Sequence, residues 1–214
     1  MSTSIFEAID YEDISFIKQY ISLKKNLNVL NRFNQTPLHL ACIHSKIEIA
    51  QILIENGADI DLKDKWDDTP LFLSINNSLL DISSLLIQHG AQVNNINHNK
   101  YSPLHISVQT KNTESTQLLI NSGADIHCLD RSNNTPLHLA VNYQNIPTII
   151  TLLQAGADIY KLNFINLSPY SIAENKNNKE IIQIFEKYIN YKDLFFQICS
   201  TTINQPTLNK QVKI

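Results

Sequence analysis

The chain has 214 residues, 43% of them hydrophobic, which suits one or two ordinary domains or one elongated array and argues against wholesale disorder. Seventeen basic against twenty acidic side chains leave a net charge of −3, which gives no electrostatic case for nucleic acid or an acidic membrane as partner. Three scattered cysteines without a CxxC pair argue against a disulfide framework or a cysteine-rich zinc site and point to a reducing compartment, and no apolar run is long enough to span a bilayer.

The opening, MSTSIFEAIDYED, has no basic stretch followed by an apolar run, so no secretory signal is expected. Residues 1–35 read as an N-terminal capping unit. Thr3-Ser4-Ile5-Phe6-Glu7-Ala8 opens it, and Ile14, Phe16, Ile17 and Ile21 are interleaved with Tyr11, Glu12, Asp13, Ser15, Lys18 and Gln19, as an end unit with one wet face requires. At residue 36 a phrase begins that then recurs. Gln35-Thr36-Pro37-Leu38-His39-Leu40-Ala41 returns as Asn134-Thr135-Pro136-Leu137-His138-Leu139-Ala140, and Thr36, Thr69, Ser102, Thr135 and Ser168, each followed by proline, are spaced by 33 residues. Thr or Ser is a good N-cap, and proline suits the first helical position, so each phrase starts a helix.

Each unit then continues in the same way. The second helix is amphipathic, with Ile47, Ile49, Ile52 and Leu53 in one unit and Leu80, Ile82, Leu85 and Leu86 in the next. Gly57, Gly90, Gly123 and Gly156 follow it and supply a left-handed helix end. Ala8, Ala41, Ala140 and Ala173 are small enough for close helix contact, and Ser74 and Ser107 replace them in the middle units. The units are 36–68, 69–101, 102–134, 135–167 and a C-terminal cap, 168–190. Residues 191–214 leave the pattern: Tyr191 to Cys199 is apolar enough to extend or cover the last helix, and 201–214, with Pro206, reads as a loose tail.

The TPLH phrase and the Gly-Ala-Asp-Ile phrase, locked to a period of 33, resemble those of ankyrin-repeat proteins over about residues 1–190. The resemblance implies an all-α solenoid of stacked antiparallel helix pairs with projecting β-hairpin-like loops. It also implies a noncatalytic, cofactor-free, monomeric module that binds another protein in the cytoplasm, as adaptor, targeting subunit or sequestering inhibitor. Two alternatives stay open. One is an effector of an intracellular microbe or virus that docks a host protein through the same face. The other is a nucleic-acid-binding protein that uses a basic row of hairpin residues. One departure stands out: the family's hairpin glycine is replaced by Asn34, Asp67, Lys100, Asn133 and Asn166. Asn and Asp tolerate a left-handed turn, but Lys fits it poorly, so strain or a different loop is expected at Lys100.

No catalytic signature accompanies the repeats, and the four glycines are all spent on helix ends. His39, His105 and His138 recur at one repeat position, so they line up along an edge and do not converge on a metal. The resemblance implies that they tie loops together, and Phe72 stands in for them in the second unit. Asn94, eight residues after Leu86, resembles hydroxylated asparagines of other arrays, beside a plainer loop-stabilising role. The resemblance places partner contacts on the hairpin tips and the exposed side of the first helix. On that map Arg32, Lys65, His98 and Arg131 form a tip row with Phe164 at its end, beside Phe33 and Trp66. Asp68 and Tyr101 follow the tips, and His44 and Tyr143 face the groove from the first helices. Exposed Trp, Tyr and Arg are typical interface anchors. Tips also tend to be polar on any account, and Phe33 packing on Trp66 is compatible with both readings.

Overall fold

The N-cap and proline of each phrase do in the folded chain what their chemistry allows. The computed structural model describes residues 4–203, with side chains described through Tyr191. Its twelve helices form six antiparallel pairs: α1 (Ile5–Asp10) with α2 (Ile14–Ser22), α3 (Pro37–Ile43) with α4 (Ile47–Glu55), and α5 (Pro70–Asn76) with α6 (Leu80–Gln88). There follow α7 (Pro103–Gln109) with α8 (Thr113–Asn121), α9 (Pro136–Asn142) with α10 (Ile146–Gln154), and α11 (Pro169–Asn175) with α12 (Lys179–Ile203). The first helices pack on one another in order from α1 to α11, and the second helices do so from α4 to α12, which makes a two-layered solenoid. No strand occurs among the described residues; the hairpin-like loops are turns held by hydrogen bonds.

The buried face is the one the helical period selects. Leu38, Leu71, Leu104 and Leu137 are buried at one repeat position, with Leu53, Leu86 and Leu119 behind them on the second helices. No unit covers this face alone, so burial of each leucine, worth about 1.5–3 kcal/mol, depends on its neighbours. Ser74 and Ser107 take alanine's place without unsatisfied hydroxyls. Ser74 Oγ donates to the Leu71 carbonyl and meets Ser83 Oγ at 2.8 Å, and Ser107 Oγ does the same with Leu104 and with Thr116 Oγ1 at 2.9 Å.

Left-handed backbone recurs on a strict beat. After α4, the Gly57 φ is +87° and the Ala58 N–H donates to the Leu53 carbonyl at 3.0 Å, the six-to-one bond of a helix end closed by glycine. The hairpin slot is equally regular. Asn34, Asp67, Lys100, Asn133 and Asn166 have φ between +56° and +61°, so the expectation of a different loop at Lys100 is wrong. Lys100 N–H donates to the Asn97 carbonyl at 2.9 Å, as Asp67 N–H does to Asp64 at 3.0 Å. The repeat geometry on either side imposes the turn, and the lysine bears the steric cost of its Cβ. A further left-handed row, Glu12, Ser45, Ser78, Lys111, Gln144 and Asn177, joins the two helices of each pair. At the C-terminal end α12 runs through position 190 without a break and continues to Ile203. Residues 204–214, most of the stretch read as a loose tail, lie outside the described residues.

Candidate functional site

Each hairpin is organised by one side chain that the sequence reading passed over. Asn31, Asp64, Asn97, Asp130 and Asn163, again 33 apart, each use one Oδ1 to accept the N–H groups two and four residues ahead, at 2.8–3.1 Å. These Asx turns fix each tip. The tips are then joined: the N–H of Lys65 donates to Phe33, that of His98 to Trp66 and that of Phe164 to Ser132, each at 2.9 Å. Below them, Nδ1 of His39 accepts the Thr36 N–H at 3.1 Å, so Nε2 bears the proton and donates to the Asp68 carbonyl at 3.2 Å. His105 and His138 repeat this toward Asn134 and Leu167. Burial holds all three imidazoles below their ordinary pKa, which keeps them neutral.

On this frame stand the tip side chains. The rings of Phe33 and Trp66 stack with centroids 5.8 Å apart, and the Arg32 guanidinium lies 4.6 Å from the Phe33 centroid. Trp66 nevertheless keeps 47% of its surface exposed, so the stack orders the ring without hiding it. Arg32, Phe33 and His44 line one groove of about 690 Å³, together with Asp10, Ile43 and Lys46. His44 Nε2 lies 3.3 Å from Asp10, and Lys46 pairs with Glu12 at 2.7 Å. Lys65 is exposed on the next tip, and exposed His98 on the third stands 4.0 Å from the Asp67 carboxylate. Arg131 Nη2 donates to the His98 carbonyl. Asp68 sits half-buried behind the second tip. Burial, with Asp64 and Asp67 nearby, raises its carboxyl to about 6 against the pull of a bond from Asn97 Nδ2.

The remaining candidates stand apart from the N-terminal groove. Tyr101 is half-buried, edge-on to His105 at 5.9 Å, and Tyr143 is exposed at the C-terminal end of α9, the fifth of the first helices. Asn94 bridges two units, accepting the Asp125 N–H at 2.8 Å and donating to the Gly123 carbonyl at 3.2 Å. Two apolar surfaces are more prominent in the structure than in the sequence. The fifth tip exposes Phe164 by 77% and Ile165 by 66%. On the other layer, Ile150, Leu153, Ile184, Tyr188 and Tyr191 line a groove of about 640 Å³ between α10 and α12. The signal was available for the tip, since Phe164 ends a row that is otherwise polar. It was not available for the outer groove, which combines helices from two units.

Among the described residues the nearest approach to a nucleophile is Cys128, whose Sγ lies 3.2 Å from Ser102 Oγ and 3.5 Å from His105 Nδ1. Burial pushes that thiol up to about 11, and the His105 Nδ1 is already occupied by the Ser102 N–H, so the sulfur stays protonated and unactivated. No group of three or more His, Cys, Asp or Glu side chains among the described residues is placed to hold a metal ion. No described helix is long and apolar enough to cross a membrane.

Comparison with known proteins agrees with the repeat geometry. A family model described as ankyrin repeats (3 copies) matches residues 5–97 and 94–163. An ankyrin repeat protein of Acanthamoeba polyphaga mimivirus is 42% identical over 52 residues. That match takes in 24% of this chain and 7% of the viral protein.

Proposed function

Since the chain belongs to the ankyrin-repeat family, we propose that it is a noncatalytic, monomeric module that binds another protein in the cytoplasm as adaptor, targeting subunit or sequestering inhibitor. The partner lies across the hairpin tips and the groove beside the first helices. One observation carries this reading: the Arg32–Phe33–Trp66 stack, an ordered and half-exposed aromatic platform on a loop edge that needs no core of its own. Rigid aromatic and Arg anchors dominate interface energetics because little entropy is lost when they are covered. For Asn94 we favour the bridging role over hydroxylation, because its amide already joins two units.

The effector reading, in which the same face docks a host protein, draws its support from the likeness to a viral protein over 52 residues. The net charge of −3 speaks against nucleic acid as partner. The test is capture of a partner on wild-type protein, followed by affinity measurements on variants. Trp66→Ala and Arg131→Ala should weaken the complex, and Gln51→Ala and Gln117→Ala on the second helices should not. A partner indifferent to the first pair and lost with the second would refute the assignment.

A further inference from the structure

We infer that the occupant of the tip row is an extended acidic peptide segment with an aromatic or large apolar side chain at one end. The inference rests on the reading of the tips as the binding face and adds the chemistry of what they take. Among the exposed charged side chains of the first four tips, the cations Arg32, Lys65, Lys100 and Arg131 outnumber the carboxylates, of which Asp67 alone is exposed. Asp64 and Asp130 are buried as acceptors within their turns, and Asp68 is half-buried. The described ion pairs are Asp10 with His44, Glu12 with Lys46 and Asp67 with His98. None of the four tip cations therefore has a carboxylate partner among the described residues. Exposed cations without a carboxylate partner leave charge-assisted contacts open to an anionic ligand.

The order of side chains gives the ligand a direction. The cationic tips end at Phe164 and Ile165, which are exposed and apolar. Packed helices lie about 8–10 Å apart, so the five tips span about 40 Å, the reach of about 12 extended residues. A polynucleotide would also find cations and an aromatic platform here. It fits less well. Asp67 sits within the row and Asp68 just behind it, and a continuous line of phosphates would pass over both. A peptide can place its carboxylates opposite the cations alone. The row is also single: among the described residues no second basic line holds the other side of a backbone.

The inference is tested by selecting random 12-residue peptides on the wild-type protein and on an Arg32→Glu, Lys65→Glu, Arg131→Glu variant shown by circular dichroism to keep its helices. Wild type should select peptides rich in Asp and Glu with an aromatic or large apolar residue toward one end. Their affinity should fall roughly tenfold or more on the variant and decline with added salt. Neutral or basic peptides that still lose affinity with Trp66→Ala would overturn the acidic chemistry and leave the surface standing. Peptides indifferent to Trp66→Ala would overturn the surface reading itself. A selection that returns no binder, or a 12-nucleotide oligothymidylate that binds more tightly than the selected peptides, would also overturn the inference.

Discussion

Lys100 gives direct access to what the left-handed turns cost the array. Its φ is +60°, its side chain is exposed, and its N–H closes the turn on the Asn97 carbonyl at 2.9 Å. An L-residue in this region pays about 1–2 kcal/mol for the contact between Cβ and the following carbonyl. Glycine removes that contact but has about 0.5–1 kcal/mol more backbone entropy to lose on folding. Lys100→Gly should therefore stabilise the protein by about 1 kcal/mol. In urea, with a slope of about 1–3 kcal/mol per molar, the midpoint should rise by roughly 0.3–1 M. Two controls isolate the cause. Lys100→Ala keeps the Cβ and should change little, and Asn133→Gly, at φ +56°, should gain less because asparagine tolerates the geometry. A neutral or lowered midpoint for Lys100→Gly, or an equal rise for Lys100→Ala, would show that Cβ strain is not the operative term.

The converse substitution, Gly57→Ala, should lower the midpoint by about 1 kcal/mol of stability although an added Cβ would meet no atom within 4 Å, because the φ of +87° and not space is limiting; an unchanged urea midpoint would count against this. Trp66→Ala should cost a partner complex about 2 kcal/mol or more, near thirtyfold in affinity, with helix content unchanged, as calorimetric titration and circular dichroism would show. Because His39, His105 and His138 are held below their ordinary pKa, the unfolded chain binds more protons as pH falls through about 6.5, so stability present above that value is lost below it. Asp68, raised to about 6, acts in the opposite sense between its unfolded value near 3.8 and 6, one group against three. Melting temperature should fall from pH 7.5 to pH 5.5, and His105→Phe, which copies Phe72 at the same repeat position, should flatten that slope; an unaltered slope would exclude the histidines as its source. A chelator should leave the melting temperature unchanged, and a drop of several degrees reversed by zinc would contradict this.

The repeat was legible because three signals, the N-cap with proline, the buried leucines and the glycine at the helix end, share one beat of 33 residues. Each is enforced by backbone geometry that few residue types satisfy. The row Glu12, Ser45, Ser78, Lys111, Gln144 and Asn177 was not legible, although it is as regular in conformation. Its members share no chemistry; the helices on either side force the turn, and each side chain simply tolerates it. The Asx row mixes Asn and Asp inside loops already rich in both, so its period was present but easily missed. The tips were legible only as positions. A tip side chain buries no core of its own. Although Phe33 meets Trp66 and Arg131 meets the His98 carbonyl across units, many residue types would serve there. Its identity therefore follows largely from what it meets outside the chain, and one sequence does not record that.

The loop ladder and the helix layers have different mechanical characters. Along the loop edge, units are tied by directional bonds: tip N–H groups to the preceding tip, imidazoles to the following carbonyl, Asn94 to Gly123 and Asp125. Between second helices the contacts are largely apolar, with Thr113 Oγ1 to Thr148 Oγ1 at 3.1 Å as a directional exception. Hydrogen bonds resist stretching over tenths of an ångström, and apolar faces slide at smaller cost. When the solenoid flexes, more of the strain therefore falls on the outer layer, and the tip edge is the stiffer of the two. A ligand laid along the tips thus meets a pitch that varies less than that of the outer layer behind it.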